Sequence, residues 1–245
     1  VKGLSKQKQK YIQSLHNKKY RQQFGVFLVE GQKSIEELIN SDFTIEELYL
    51  TEKATYLNTN SMETTYCTED EISKVSSFRS NNFGVAMVKC KSNQIWEECA
   101  QDWILALDDI GDPGNLGTII RIADWYGITK ILCSENTVEF YNPKVISSTM
   151  GSFTRVHCFY TDLMGYLSHT NLPVYGAYLN GDNIHKASFP KQGLLLMGSE
   201  SHGISSELEN LVTNKITIPS FGGAESLNAG VATGVILDNI RSKTE

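Results

Sequence analysis

Cysteine is scarce in this chain and does not pair. Cys67, Cys90, Cys99, Cys133 and Cys158 are odd in number, scattered and never in a C-x-x-C spacing. Neither a disulfide framework nor a zinc site is expected from them, and the natural reading is buried free thiols. His16, His157, His169, His185 and His202 form no H-x-x-x-H pair, so no metal is expected. No apolar run approaches the ~20 residues of a membrane span. The basic opening VKGLSKQKQKYIQ is followed by no apolar core of a secretory signal, so a cytoplasmic location and no membrane partner are expected. Internal repeats and low-complexity blocks are also missing.

What is present is an ordinary globular composition. The 245 residues are 40% hydrophobic, enough apolar material for a sizeable core in one large or two small domains. The net charge of −6 argues against a polyanionic partner, but its distribution does not. Residues 1–25 hold Lys2, Lys6, Lys8, Lys10, Lys18, Lys19 and Arg21 and no acid, so the rest of the chain is strongly acidic. A basic arm on an acidic body suits either a protein that meets a polyanion through one end or a solvated tail.

Two grammars follow the arm. FGVFLVEG, IEELYLT, ETTYCT and FGVAMVKC read as strands. QKSIEELINS, EKATYLN and EDEISKVSSF read as helices between them. This small α/β unit is expected to end near KSNQ, giving domains 1–94 and 95–245. From Trp103 onward strands and helices alternate regularly. Strands DWILALDDI, KILCS, RVHCFY, LPVYGAYL, GLLLMGSE and KITIPS are separated by helical NLGTIIRIADWYG, NPKVISSTMGSF, DLMGYLSHT and SSELENLVT, and SLNAGVATGVILDNIRSK closes the chain. That pattern predicts an α/β fold with a parallel sheet covered on both faces.

Parallel sheets bind ligands at the carboxyl ends of their strands, and three loops there are unusual. DDIGDPGNLGTIIR, MGSESHGIS and IPSFGGAESLN combine glycines, which let a ligand approach the backbone, with a few polar side chains. Each residue also has a plainer reading. Pro113-Gly114 makes a turn, and Asn115 suits a helix N-cap. Arg121 is either a stem along the surface or a buried cation with a partner. His202 is a lone loop histidine, and Ser226 with Asn228 suits a cap pair for the last helix. The loops lack the Lys-Ser/Thr of a P-loop, and no G-x-G-x-x-G follows the first strand of a βαβ unit, so a nucleoside triphosphate or dinucleotide reading is weak.

Taken together, N-L-G-T-I-I-R, G-S-E-S-H-G and I-P-S-F-G-G-A-E-S-L-N resemble the three signature motifs of the SpoU/TrmH-type ribose methyltransferases. These belong to the SPOUT class of S-adenosylmethionine-dependent RNA methyltransferases. The resemblance runs from Leu105 to about Arg241, including NPKVISSTMGSF. It extends more loosely to residues 10–90, where FLVEGQKSIEELI is similar to the family's ribosomal-protein-like substrate-binding domain. It implies a C-terminal trefoil knot, a homodimer whose sites are completed by the partner chain, and a ribose 2′-hydroxyl of structured RNA as acceptor. Ribosomal RNA is expected ahead of transfer RNA, and a catalytically silent RNA-binding or ribosome-assembly factor is the alternative from another class. Carried over by position, Gly198, Ile218 and Leu227 would contact S-adenosylmethionine. Asn115, Arg121, Glu200, Ser226 and Asn228 would form the catalytic set, and no metal is implied. Glu200 is expected to accept hydrogen bonds from Asn115 or Arg121. Lys18, Lys19 and Arg21 are expected to hold RNA phosphates.

The chain departs from the family at Ala229-Gly230, where S-L-N-V-S is usual, and at Thr149, where Ser is common; altered helix packing with retained activity is expected. Arg121 takes the position of the family's proposed base. Keeping a guanidinium neutral at pH 7 costs about 7 kcal/mol. A charged Arg121 that grips phosphate and stabilises a developing alkoxide is the less demanding role.

Overall fold

The computed structural model describes residues 3–59, 61–95 and 103–244; Lys2 and Cys99 lie outside them. In chain order the helices are α1 (Lys6–Ser14), α2 (Lys18–Phe24), α3 (Gln32–Ile39), α4 (Glu69–Val75), α5 (Pro113–Trp125), α6 (Pro143–Ser148), α7 (Leu163–His169), α8 (Ser206–Glu209) and α9 (Ala229–Thr244). The strands are β1 (Val26–Glu30), β2 (Ile45–Leu50), β3 (Thr64–Tyr66), β4 (Gly84–Lys89), β5 (Trp103–Leu107), β6 (Lys130–Cys133), β7 (His157–Tyr160), β8 (Val174–Asn183), β9 (Gly193–Met197) and β10 (Asn214–Thr217). They form two compact units, Val1–Ser92 with Glu139–Thr154, and Asn93–Val138 with Arg155–Glu245. The expected division after residue 94 was contiguous, whereas Glu139–Thr154 clusters with the first unit.

The first unit is a four-stranded sheet in the order β1-β4-β2-β3, antiparallel except for the β2–β3 pair. Its opening is no loose tail. Ser5 caps α1 and Asn17 caps α2 by accepting backbone N–H groups of the first turn. Ile12 and Leu15 are fully buried in one cluster with Ile72 and Val75 of α4. Gly25, at φ 64°, ends α2 in the left-handed conformation that glycine adopts without strain. A capping box between Thr68 and Glu71 opens α4. EKATYLN forms only a 3-10 turn at Glu52–Ala54 with Ala54 its one buried residue, because it has no apolar stripe to hold a longer helix.

Arg21 corrects an expectation. It is buried at 2% exposure, donates from Nη1 to the Leu15 carbonyl at 2.8 Å and from Nη2 to Glu139 at 2.7 Å. A guanidinium so engaged is not available to RNA phosphate. The Glu139–Thr154 segment also sets Tyr141 4.5 Å and Phe153 6.3 Å, centroid to centroid, from Phe27 of β1.

The second unit is the predicted parallel sheet, six strands in the order β10-β8-β9-β5-β6-β7, every pair parallel. All residues of β5 and β9 are buried, as central strands covered on both faces must be. The chain leaves β10 at one edge and returns so that α9 packs on α5. The four described cysteines are free. Burial pushes the Cys67 thiol up to about 11 and the Cys90 thiol up to about 12, which keeps both unreactive.

Candidate functional site

Strands β5, β9 and β10 release their three loops from carboxyl ends of the second sheet. The first loop enters α5 through a cap that the sequence pattern assigned to the wrong residue. Asp112 is the N-cap, accepting the backbone N–H of Asn115 at 2.8 Å, with Pro113 at the first helical position. Asn115 is therefore a helical residue whose side-chain amide is free to act elsewhere. That amide donates to Glu200 of the second loop, and its oxygen accepts from Asn228 Nδ2 of the third loop at 2.8 Å. Asn228 Oδ1 in turn accepts from Gly230 N at 3.0 Å and Val231 N at 3.3 Å, so it caps α9 while facing Asn115. A continuous run of hydrogen bonds thus passes from the start of α9 through two amides to the Glu200 carboxylate.

Three of the five expected catalytic residues meet in this run. The other two stand apart from it. Arg121 is exposed, and helix geometry sets it about 9 Å along α5 from Asn115. It makes no hydrogen bond or ion pair among the described residues, so the buried-cation reading does not hold. Ser226 is exposed and has no hydrogen bond among the described residues. The cap belongs to Asn228 alone. Glu200 has its hydrogen bond from Asn115, not from Arg121.

The second loop is a tight backbone turn. Ser199 and Gly203 exchange two hydrogen bonds, at 3.1 and 2.9 Å. A Cβ on Gly198 would lie 2.0 Å from the Gly203 carbonyl carbon, so only glycine closes the turn. Asp108, buried at the end of β5, accepts from Ser205 N at 2.7 Å and ties the first loop to the second. Asp109, at φ 56°, accepts from Ser134 Oγ at 2.8 Å, and its carboxylate lies 3.9 Å from His202 Nε2. These two aspartates were not among the expected site residues. Their only trace in the sequence is an acidic pair at the end of an apolar strand.

The loops leave backbone and apolar surface open to a ligand. Ideal Cβ atoms on Gly111, Gly222 and Gly223 would meet nothing within 4 Å, which leaves their backbone open to a ligand. Leu227 is half-exposed and Phe221 95% exposed, apolar surface with nothing packed over it. Gly198 and Ile218 are partly buried at the rim. Among the described residues no group of three or more His, Cys, Asp or Glu side chains could hold a metal ion. In the first unit, Lys18 and Lys19 are exposed and enter no ion pair among the described residues.

Residues 102–238 match the model of the SpoU rRNA Methylase family, and residues 6–85 match the MRM3-like substrate binding domain. The chain is 27% identical to the 23S rRNA (guanosine(2553)-2′-O)-methyltransferase RlmP of Bacillus subtilis, over 98% of both chains. It superposes on a TrmH-family protein from Porphyromonas gingivalis with a TM-score of 0.87 and 30% identity, covering 98% of this chain and 99% of that one. An AdoMet-bound rRNA methyltransferase from Sinorhizobium meliloti gives a TM-score of 0.87 at 26% identity, covering 99% and 97%.

Proposed function

The chain belongs to the SpoU rRNA methylase family, and from that premise we propose that it transfers a methyl group from S-adenosylmethionine to a ribose 2′-hydroxyl of ribosomal RNA. The observation that carries this reading is the junction of Asn115, Glu200 and Asn228, one residue from each strand-end loop. The ribosomal choice is supported by the end-to-end likeness to RlmP.

When bound, S-adenosylmethionine supplies an electrophilic methyl carbon on a sulfonium. Gly198, Ile218 and Leu227 would hold it, largely through backbone groups of the open glycine turns. Asn115 is locked by its two partners, so Glu200 and Asn228 act on the site by fixing that amide. Holding two reactants in line lowers the barrier by roughly 7–11 kcal/mol, and rigid loops are what such alignment needs. Arg121, exposed and without a hydrogen bond or ion pair among the described residues, is free to take a phosphate next to the acceptor ribose and to stabilise the alkoxide as its proton passes to solvent water. Ser226 stands at the same loop with its hydroxyl unengaged and would address ribose or donor.

Four further features belong to the proposal. A trefoil knot in the C-terminal chain follows from the family resemblance and accords with the chain's return from edge strand β10 to pack α9 on α5. A homodimer is supported by exposed apolar residues on the two helices that leave the site, with Trp125 of α5 83% and Val231 of α9 52% exposed. A substrate-binding role for 1–94 is supported by the match over residues 6–85 and by unpaired Lys18 and Lys19. The cytoplasm is the proposed location; no described helix is long and apolar enough to cross a membrane.

Calorimetry with S-adenosylmethionine tests the reading. A saturable heat signal is expected, weakened by Leu227→Asp. A silent assembly factor of the same fold would give no signal with the wild-type chain.

A further inference from the structure

We propose that Tyr20 and Phe24 of α2 form a stacking platform for an unpaired base of the RNA, with Lys18 and Lys19 holding the adjoining phosphates. This rests on the RNA half of the reading above and specifies which part of the RNA the first unit takes. The two rings are one helical turn apart and so share a face of α2. They lie parallel to within 12°, centroids 6.2 Å apart, and are 37% and 42% exposed. Tyr11 of α1 meets Phe24 edge-on at 5.1 Å, which fixes the plane of the pair.

Charge selects the occupant. Lys6, Lys10, Lys18 and Lys19 are exposed and make no ion pair among the described residues. Of the two carboxylates near Tyr11, Glu46 and Glu47, the second is matched by Lys8 at 2.6 Å. The Lys19 ammonium lies 6.0 Å from the Tyr20 ring centre. Exposed aromatic rings with cations close by, one of them over the Tyr20 ring, suit a single strand, because any base offers a π-face and each nucleotide a phosphate. A paired helix keeps its base faces stacked inside and offers the rings nothing. Lysine is depleted in protein interfaces, and a second copy docking symmetrically here would set like charges against each other.

The test uses the full chain and fluorescence anisotropy with fluorescein-labelled decauridylate, beside a hairpin RNA with a minimal loop. Tyr20→Ala should weaken decauridylate binding about tenfold, while Tyr20→Phe, which keeps the ring, stays within about twofold of wild type. The Lys18→Gln/Lys19→Gln double variant should flatten the salt dependence, which falls by about 0.7 in log–log slope for each single-strand phosphate lost, whereas Tyr20→Ala leaves that slope intact. Tyr20→Trp supplies a readout independent of affinity: its fluorescence should be quenched on binding. The proposal is overturned by Tyr20→Ala binding as wild type, by equal losses on the paired stem, by an unquenched Trp, or by a wild-type chain that does not bind decauridylate. Donor calorimetry on the same preparation reports separately on the transferase reading; its failure with the aromatic effect intact would strike that reading and leave the platform standing.

Discussion

Asn228 has two tasks that substitution can separate. Its Oδ1 caps α9 and its Nδ2 holds Asn115. Replacing it with Ala removes both, so the helix should lose about 1 kcal/mol, seen as a Tm lower by roughly 2–4 °C, and kcat should fall at least tenfold. Asn228→Ser should restore the cap and the Tm but not kcat, since serine is too short to reach Asn115. Arg121 makes the opposite case. With no hydrogen-bond or ion-pair partner among the described residues, Arg121→Ala should leave stability within about 0.5 kcal/mol while methyl transfer collapses. Arg121→Lys should retain more activity than Arg121→Ala if charge does most of the work, and steady-state kinetics over the two variants measures that share. The residue types at these positions were legible in the sequence through the motifs they sit in. Their partners were not. Asn115 and Glu200 are 85 residues apart in the chain, and spacing alone does not say which amide meets which carboxylate. Nor does it say that Asp112 takes the cap offered to Asn115.

At the scale of elements, periodicity carried most of the fold. The six strands of the second sheet appear where apolar runs put them, and Thr68 to Glu71 begins α4 as acids before an apolar stripe suggest. Helices α1 and α2 were hidden. Their residues are mostly Lys and Gln, and only Ile12, Leu15 and Arg21 anchor them to the core; a tertiary contact decided what composition read as an arm. Arg21 is the strongest of these anchors. Removing one partner of a buried ion pair costs about 3–5 kcal/mol, so Arg21→Ala should unfold at markedly lower urea concentration. Lys18→Ala should leave the urea midpoint unchanged. Equal midpoints for Arg21→Ala and wild type would show that the pair with Glu139 holds nothing. The membership of Glu139–Thr154 in the first unit had no sequence signal, because a helix pattern specifies an apolar face and not the sheet that covers it.

For the whole molecule, exposed apolar side chains occur in both units. Lys6, Lys10, Lys18 and Lys19, without an ion pair among the described residues, accompany Tyr20 and Phe24 at the start of the chain, while Trp125 and Val231 are exposed on the two packed helices of the second unit. Exposed aromatic and aliphatic side chains on α5 and α9 suit an interface, and a second copy is the proposed cover. Sedimentation velocity should find twice the chain mass, and Trp125→Glu should shift it to a single chain with an unchanged circular dichroism spectrum. A wild-type chain that sediments as a monomer would contradict the dimer. The most direct test of the account is chemical. Ribosomal RNA lacking the modification is incubated with this protein and S-adenosylmethionine labelled in its methyl group, then digested with alkali, which cleaves next to every ribose that keeps a free 2′-hydroxyl. The account predicts label in an alkali-stable dinucleotide from one site, lost with Asn228→Ala. Label confined to single nucleotides would place the methyl on a base and contradict it.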